Sequence, residues 1–201
     1  MIDKKQNRIG SFVFMVLLSG AFLFPVFMVL MNSFKGKLYI SKMPFAFPTG
    51  KMFAGFSNYI NGIVKSGFIK AMGYSAFITV LGTLLIVLFT SMTAWYLIRV
   101  KSKTTTVLYY MFVFSMIVPF QMVMFSMVKV ANVLHLDNLW GILILYLGFG
   151  AGLSVFMLSG FVKSIPLDIE EAATIDGCTP IVMFFRVVFP ILKPTAITVA
   201  I

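Results

Sequence analysis

The chain has 201 residues, of which 60% are hydrophobic and 11% charged, with a formal net charge of +10 and a mean hydropathy of +1.02. A water-soluble domain carries about a quarter of its residues as charges, so this composition excludes a soluble globular protein and makes lipid the main solvent. One cysteine and one histidine rule out an internal disulfide and leave no ligand cluster for a zinc centre, so no metal and no cofactor are expected.

Charge is absent from Ile9–Phe34, Ala71–Ile98, Thr104–Val128 and Asn138–Val162. Each run is roughly 25 residues, enough to cross a hydrocarbon core about 30 Å thick at 1.5 Å rise per residue. The runs lack the polar–apolar alternation of a closed barrel, so the expected fold class is all-α, a polytopic transmembrane helix bundle. The basic balance then belongs to loops beside anionic headgroups, and with no soluble basic domain left over, nucleic acid is not an expected partner.

In chain order, Lys4, Lys5 and Arg8 precede a first span at 12–31, with Pro25 inside it. Its apolar run is too long for a secretory signal and no small-residue cleavage site follows, so it reads as a retained helix. The segment up to residue 72 mixes Pro44, Pro48, several lysines and the aromatics Phe45, Phe47, Phe53, Phe56 and Tyr59. That mixture suits a loop lying at headgroup level. A second span is expected at 73–98, followed by a basic turn with Arg99, Lys101 and Lys103. A third runs 107–128 with Pro119 inside it, and a short loop with His135 and Asp137 leads into a fourth at 139–162. A polar segment at 163–194 precedes a new apolar run from 195. Seven residues cannot cross a bilayer, so that run is expected to be the start of a fifth span and the single transmembrane domain 1–201 to be incomplete at its carboxy terminus. The amino terminus is expected inside, since the first residues and the Arg99 turn are densely basic.

Of the six acidic residues, Asp168, Glu170, Glu171 and Asp176 fall together after the fourth span. Ser164 and Pro166 read as a helix start, with the carboxylates near its positive end and Ala172 and Ala173 propagating it. Gly177 reads as a left-handed stop, Thr179 and Pro180 as a second cap, and Pro190 as the end of a second arm. Two arms this short need a partner to hold them, and for the acidic arm that partner is expected to be a groove on another protein.

This segment resembles the EAA loop of binding-protein-dependent ABC importer permeases, whose pattern is E-A-A-x3-G-x9-I-x-L-P. Glu171, Ala172, Ala173, Gly177 and Pro190 match it, with Val187 and Phe189 standing where Ile and Leu are usual. From Pro119 and Gln121 through Asn138, Leu139 and Trp140 to Ile165 and Pro166, the chain is similar to carbohydrate permeases of the maltose-transporter G type. The resemblance implies a type I importer permease fold with six spans, in a bacterial or archaeal cell membrane with the EAA loop cytoplasmic. It implies a second permease subunit sharing the solute path, an ATPase dimer that docks the loop, and an extracytoplasmic solute-binding protein. The solute implied is a sugar or oligosaccharide. Glu170, Glu171, Ala172, Ala173, Asp176, Gly177 and Pro190 would form the coupling loop, with Glu171 as anchor.

The chain has no G-x-x-x-x-G-K-[ST] loop, so it is not expected to be an enzyme and ATP hydrolysis is expected on a separate subunit. Gln121 could touch solute or bond a neighbouring helix, and Gly148 and Gly152 form a G-x-x-x-G pair suited to close packing or, alternatively, to a gating hinge. An ion-coupled secondary transporter is the main alternative, but it would place ionisable groups inside its spans, and none of the four has one. A non-transporting membrane scaffold would not need the EAA spacing.

Overall fold

The computed structural model describes residues 3–201, with side chains described from residue 8. Among the described residues ten α-helices follow one another: α1 (Asp3–Ser33), α2 (Lys37–Lys42), α3 (Ser57–Lys65), α4 (Phe68–Arg99), α5 (Lys103–Ile117), α6 (Phe120–Val133), α7 (Leu139–Val162), α8 (Leu167–Ile175), α9 (Pro180–Met183) and α10 (Phe189–Ala200). Among the described residues, extended pairing is limited to one isolated bridge, Lys35 with Phe53. The chain divides into two compact units, Met1–Met72 and Gly73–Ile201.

In the first unit, α1 runs without interruption past Pro25 and leaves Phe12, Phe22 and Val29 69%, 73% and 71% exposed. Such a surface is untenable in water and ordinary in lipid. The segment after α1 is more ordered than a surface loop. Lys35 is fully buried, and its ammonium donates to Asn32 Oδ1 at 2.9 Å, Met43 O at 2.9 Å and Pro44 O at 3.0 Å. An ammonium has three protons and here three acceptors. Asn58 Nδ2 donates to Ser33 O and Lys35 O, and Phe34 lies against Phe53, Phe56 and Tyr59.

The second unit is built on small residues. Ala94 and Leu97 of α4 meet Val155 and Leu158 of α7, with Tyr109 and Phe112 of α5 and Val199 of α10 against them. A Cβ on Gly152 of α7 would lie 2.5 Å from Ser115 Oγ and 3.0 Å from Phe112 O, and one on Gly150 would lie 2.9 Å from Ile86 Cδ1. Apolar side chains gain nothing by leaving lipid, so close backbone approach at such positions is what holds membrane helices together.

The expected third span differs in the structure. Instead of one helix through 107–128, α5 stops at Ile117 and α6 starts at Phe120, bent by 108°. Pro119 causes the break: it forces Val118 out of the helical region, to φ −72° and ψ 117°, and itself supplies no N–H. With 15 residues, α5 is about 22 Å long, short of the hydrocarbon thickness.

The last helix also differs. The run from Pro180 to Ala200 is one apolar helical stretch of 21 residues, not an arm ending at Pro190 followed by a new start at 195. A π turn over Phe184–Val188 joins α9 to α10, and the N–H of Phe189 bonds the carbonyl of Phe184 five residues back. That widened turn shifts the bonding ladder just ahead of Pro190, which has no N–H to contribute. The helix therefore passes through the proline.

Candidate functional site

The acidic cluster sits where α7 turns into α8. Ser164 does not cap α8; its hydroxyl donates back to Phe161 O at 2.7 Å. Pro166, at φ −58° and ψ 136°, stands directly before the helix. Asp168 and Glu170 lie in the first turn, where carboxylates complement the helix dipole. The far end closes as a Schellman motif. Gly177 has φ 82°, its N–H bonds Thr174 O, and the Cys178 N–H bonds Ala173 O. Thr179 then accepts from Val182 N at 3.5 Å, with Pro180 in the first turn of α9.

Two neighbouring glutamates have opposite surroundings. Successive helical residues point about 100° apart, so Glu170 faces inward while Glu171 is exposed. Glu170 is 7% exposed. Its carboxylate accepts from Arg99 Nε at 2.8 Å and from Trp95 Nε1 at 3.0 Å, and lies 2.7 Å from Arg99 Nη2. The same Nη2 donates to Ile165 O at 2.9 Å. A bifurcated guanidinium is suited to such a site, since its fork addresses two acceptors at fixed angles.

Beneath this network lies an apolar cluster of Val162, Ile165, Ala173, Met183, Phe184, Val188 and Leu192. The Trp95 ring rests 5.6 Å from that of Phe184. Ala173 is thus buried, while Ala172, Asp176, Gly177 and Pro190 lie on the surface. The outer face joins Asp168 and Glu171 to Ile175 and Ile181, which are 86% and 68% exposed. A face that mixes carboxylates with large exposed apolar groups has the composition of a contact surface.

Trp95 was not picked out in the sequence, and Arg99 and Ile165 were read there only as part of a basic turn and of the family resemblance, not as partners of Glu170. Trp95 and Arg99 are four apart and share a helix face, which is the signal that marks them. The weaker candidates separate. Gln121 is exposed on the first turn of α6. Gly148 borders a cavity of about 340 Å³ beside the α5–α6 bend, with Phe114, Ser115, Val118, Val123 and Phe149. Gly152 instead packs against α5. Asn138 caps α7, accepting from Trp140 N and Gly141 N, and His135 takes a left-handed φ of 54° in the turn before it. Among the described residues, no group of three His, Cys, Asp or Glu side chains could hold a metal.

Residues 86–201 match the family described as the inner membrane component of binding-protein-dependent transport systems. The chain belongs to that family. This permease is 36% identical over 186 residues to the "Probable starch degradation products transport system permease protein AmyC" of Thermoanaerobacterium thermosulfurigenes, covering 92% of the chain and 67% of the relative. It is 32% identical over 197 residues to the multiple sugar-binding transport system permease protein MsmG of Streptococcus mutans, covering 95% and 70%. It is 29% identical over 192 residues to the diacetylchitobiose uptake system permease protein NgcG of Streptomyces coelicolor, covering 95% and 63%. The chain thus spans about two thirds of the length of these relatives. The permease is a multi-pass membrane protein, with long apolar helices at Arg8–Ser33, Phe68–Arg99, Leu139–Val162 and Pro180–Ala200 and the bent pair α5–α6 between the second and third of these.

Proposed function

We propose that this permease is a membrane subunit of an ATP-driven importer of sugars or oligosaccharides, and that α8 with the turns on either side of it, ahead of the apolar helix that starts at Pro180, is its coupling loop to a separate ATPase. The observation that carries the reading is the outer face of α8. It sets Asp168, Glu171 and Ile175 in the open on a helix whose inner face is pinned by Glu170 and Ala173. A nine-residue helix is marginal by itself, and here its inward half is already satisfied, so the outward half is free for a partner. The relatives' printed names support sugars as the solute class. On this reading the amino terminus and the loop face the cytoplasm. A second permease subunit completes the solute path, and an extracytoplasmic binding protein delivers the solute.

The test is thiol accessibility in the full-length protein. Ile175→Cys in a Cys178→Ser background puts the label at a fully open position on α8. A membrane-impermeant maleimide should label I175C in inverted vesicles and not in intact cells, and the ATPase should protect it. Labelling from outside, or inside labelling that the ATPase leaves unchanged, would defeat the assignment.

A further inference from the structure

We propose that Trp95 and Arg99 are positioning residues that clamp α8 to the end of α4, with Glu170 as the internal half of the clamp and not a docking group. The proposal rests on the coupling-loop reading and adds the route by which a displaced loop moves a span. Without the clamp, α8 is held by the packing of Ala173 in the apolar cluster and tethered by the Ser164–Pro166 connection on one side and by the Gly177 turn on the other. Both are short backbone joints about which a short helix can pivot. Three side-chain bonds remove that freedom. Trp95 Nε1 and Arg99 Nε each hold a different oxygen of the Glu170 carboxylate, and Arg99 Nη2 closes on Ile165 O in the joint itself.

The geometry favours transmission over simple stapling for two reasons. The donors sit at i and i+4 at one end of a helix that continues to Phe68, so force on Glu170 enters a continuous rod some 48 Å long. The bonds are also charge-assisted and mostly shielded: the Arg99 and Glu170 side chains are 15% and 9% exposed, where water competes weakly. Coupling between distant sites is carried by hydrogen-bond and salt-bridge networks joined to rigid secondary elements, and this joint has both parts. Among the described residues Glu171, one residue along, has no such side-chain partner and is exposed, which leaves contact with another chain to the outer face.

The test uses the full-length permease assembled with its partner permease and ATPase in proteoliposomes, driven by the binding protein and supplied with a radiolabelled maltooligosaccharide. Glu170→Gln keeps the side-chain size and weakens the clamp. Trp95→Phe keeps the ring against Phe184 and deletes one donor. Both should copurify with the ATPase as wild type does and hydrolyse ATP within about twofold of it, while solute moved per ATP falls about tenfold for E170Q and less for W95F. Arg99→Lys, which cannot reach both acceptors, should resemble E170Q. Unchanged solute per ATP, or uptake and hydrolysis falling together in step with the amount of assembled complex, would overturn the proposal. Loss of ATPase copurification in E170Q would also overturn it, by making Glu170 a docking group. Failure of the ATPase to protect I175C in the otherwise native protein would refute the underlying coupling reading instead.

Discussion

The two glycines of the G-x-x-x-G pair should respond unequally to alanine. In Gly152→Ala the new methyl would lie 2.5 Å from Ser115 Oγ, 3.0 Å from Phe112 O and 3.3 Å from Met116 N. The hydroxyl can rotate away, but it now donates to Phe112 O at 2.7 Å, a bond worth about 1 kcal/mol. The other two atoms are backbone and yield only if α5 moves away from α7, a cost of about 1–3 kcal/mol for overpacking. Gly152→Ala should therefore destabilise by about 2–3 kcal/mol. The double change with Ser115→Ala should recover only about 1 kcal/mol, because the backbone contacts remain. At Gly148 no heavy atom lies within 4 Å of the added methyl, so Gly148→Ala should fall within about 0.5 kcal/mol of wild type. The assay is reversible denaturation of the purified full-length protein in mixed micelles, followed by far-ultraviolet circular dichroism. Equal effects at the two positions, or a Gly152→Ala protein as stable as wild type, would refute the close-approach argument.

Other substitutions probe the remaining elements. Lys35→Met leaves Asn32 Oδ1 and the carbonyls of Met43 and Pro44 short of a donor, and should cost on the order of 3 kcal/mol, read as faster proteolysis between 34 and 60. Gly177→Val puts a β-branched residue at φ 82° and should cost about 1–2 kcal/mol. Gly177→Asn should cost less, and faster alkylation of Cys178 would report opening of the turn. Ser102→Ala removes the cap of α5, whose oxygen accepts from Thr105 N at 3.1 Å, at about 1 kcal/mol. Ser102→Asp should be close to neutral in the same denaturation assay.

The sequence by itself determined the solvent, the helical class and the local chemistry of the loop. Long charge-free runs leave no alternative to lipid-spanning helices, because an unpaired backbone amide in hydrocarbon is too costly. The Gly177 stop and the Thr179 and Pro180 start were legible because each depends on atoms a few residues apart. Pro119 and Pro190 show the limit of that reading. Both were visible, but one breaks its helix and the other is carried through by a π turn, and the outcome depends on how the neighbouring backbone is packed. The buried lysine and the two fates of Glu170 and Glu171 were likewise left to tertiary structure. A carboxylate in the sequence carries no sign of which face it will occupy until Arg99, 71 residues away in sequence, is brought beside it. Burial and pairing over such separations are properties of the packed helices, and no local pattern encodes them.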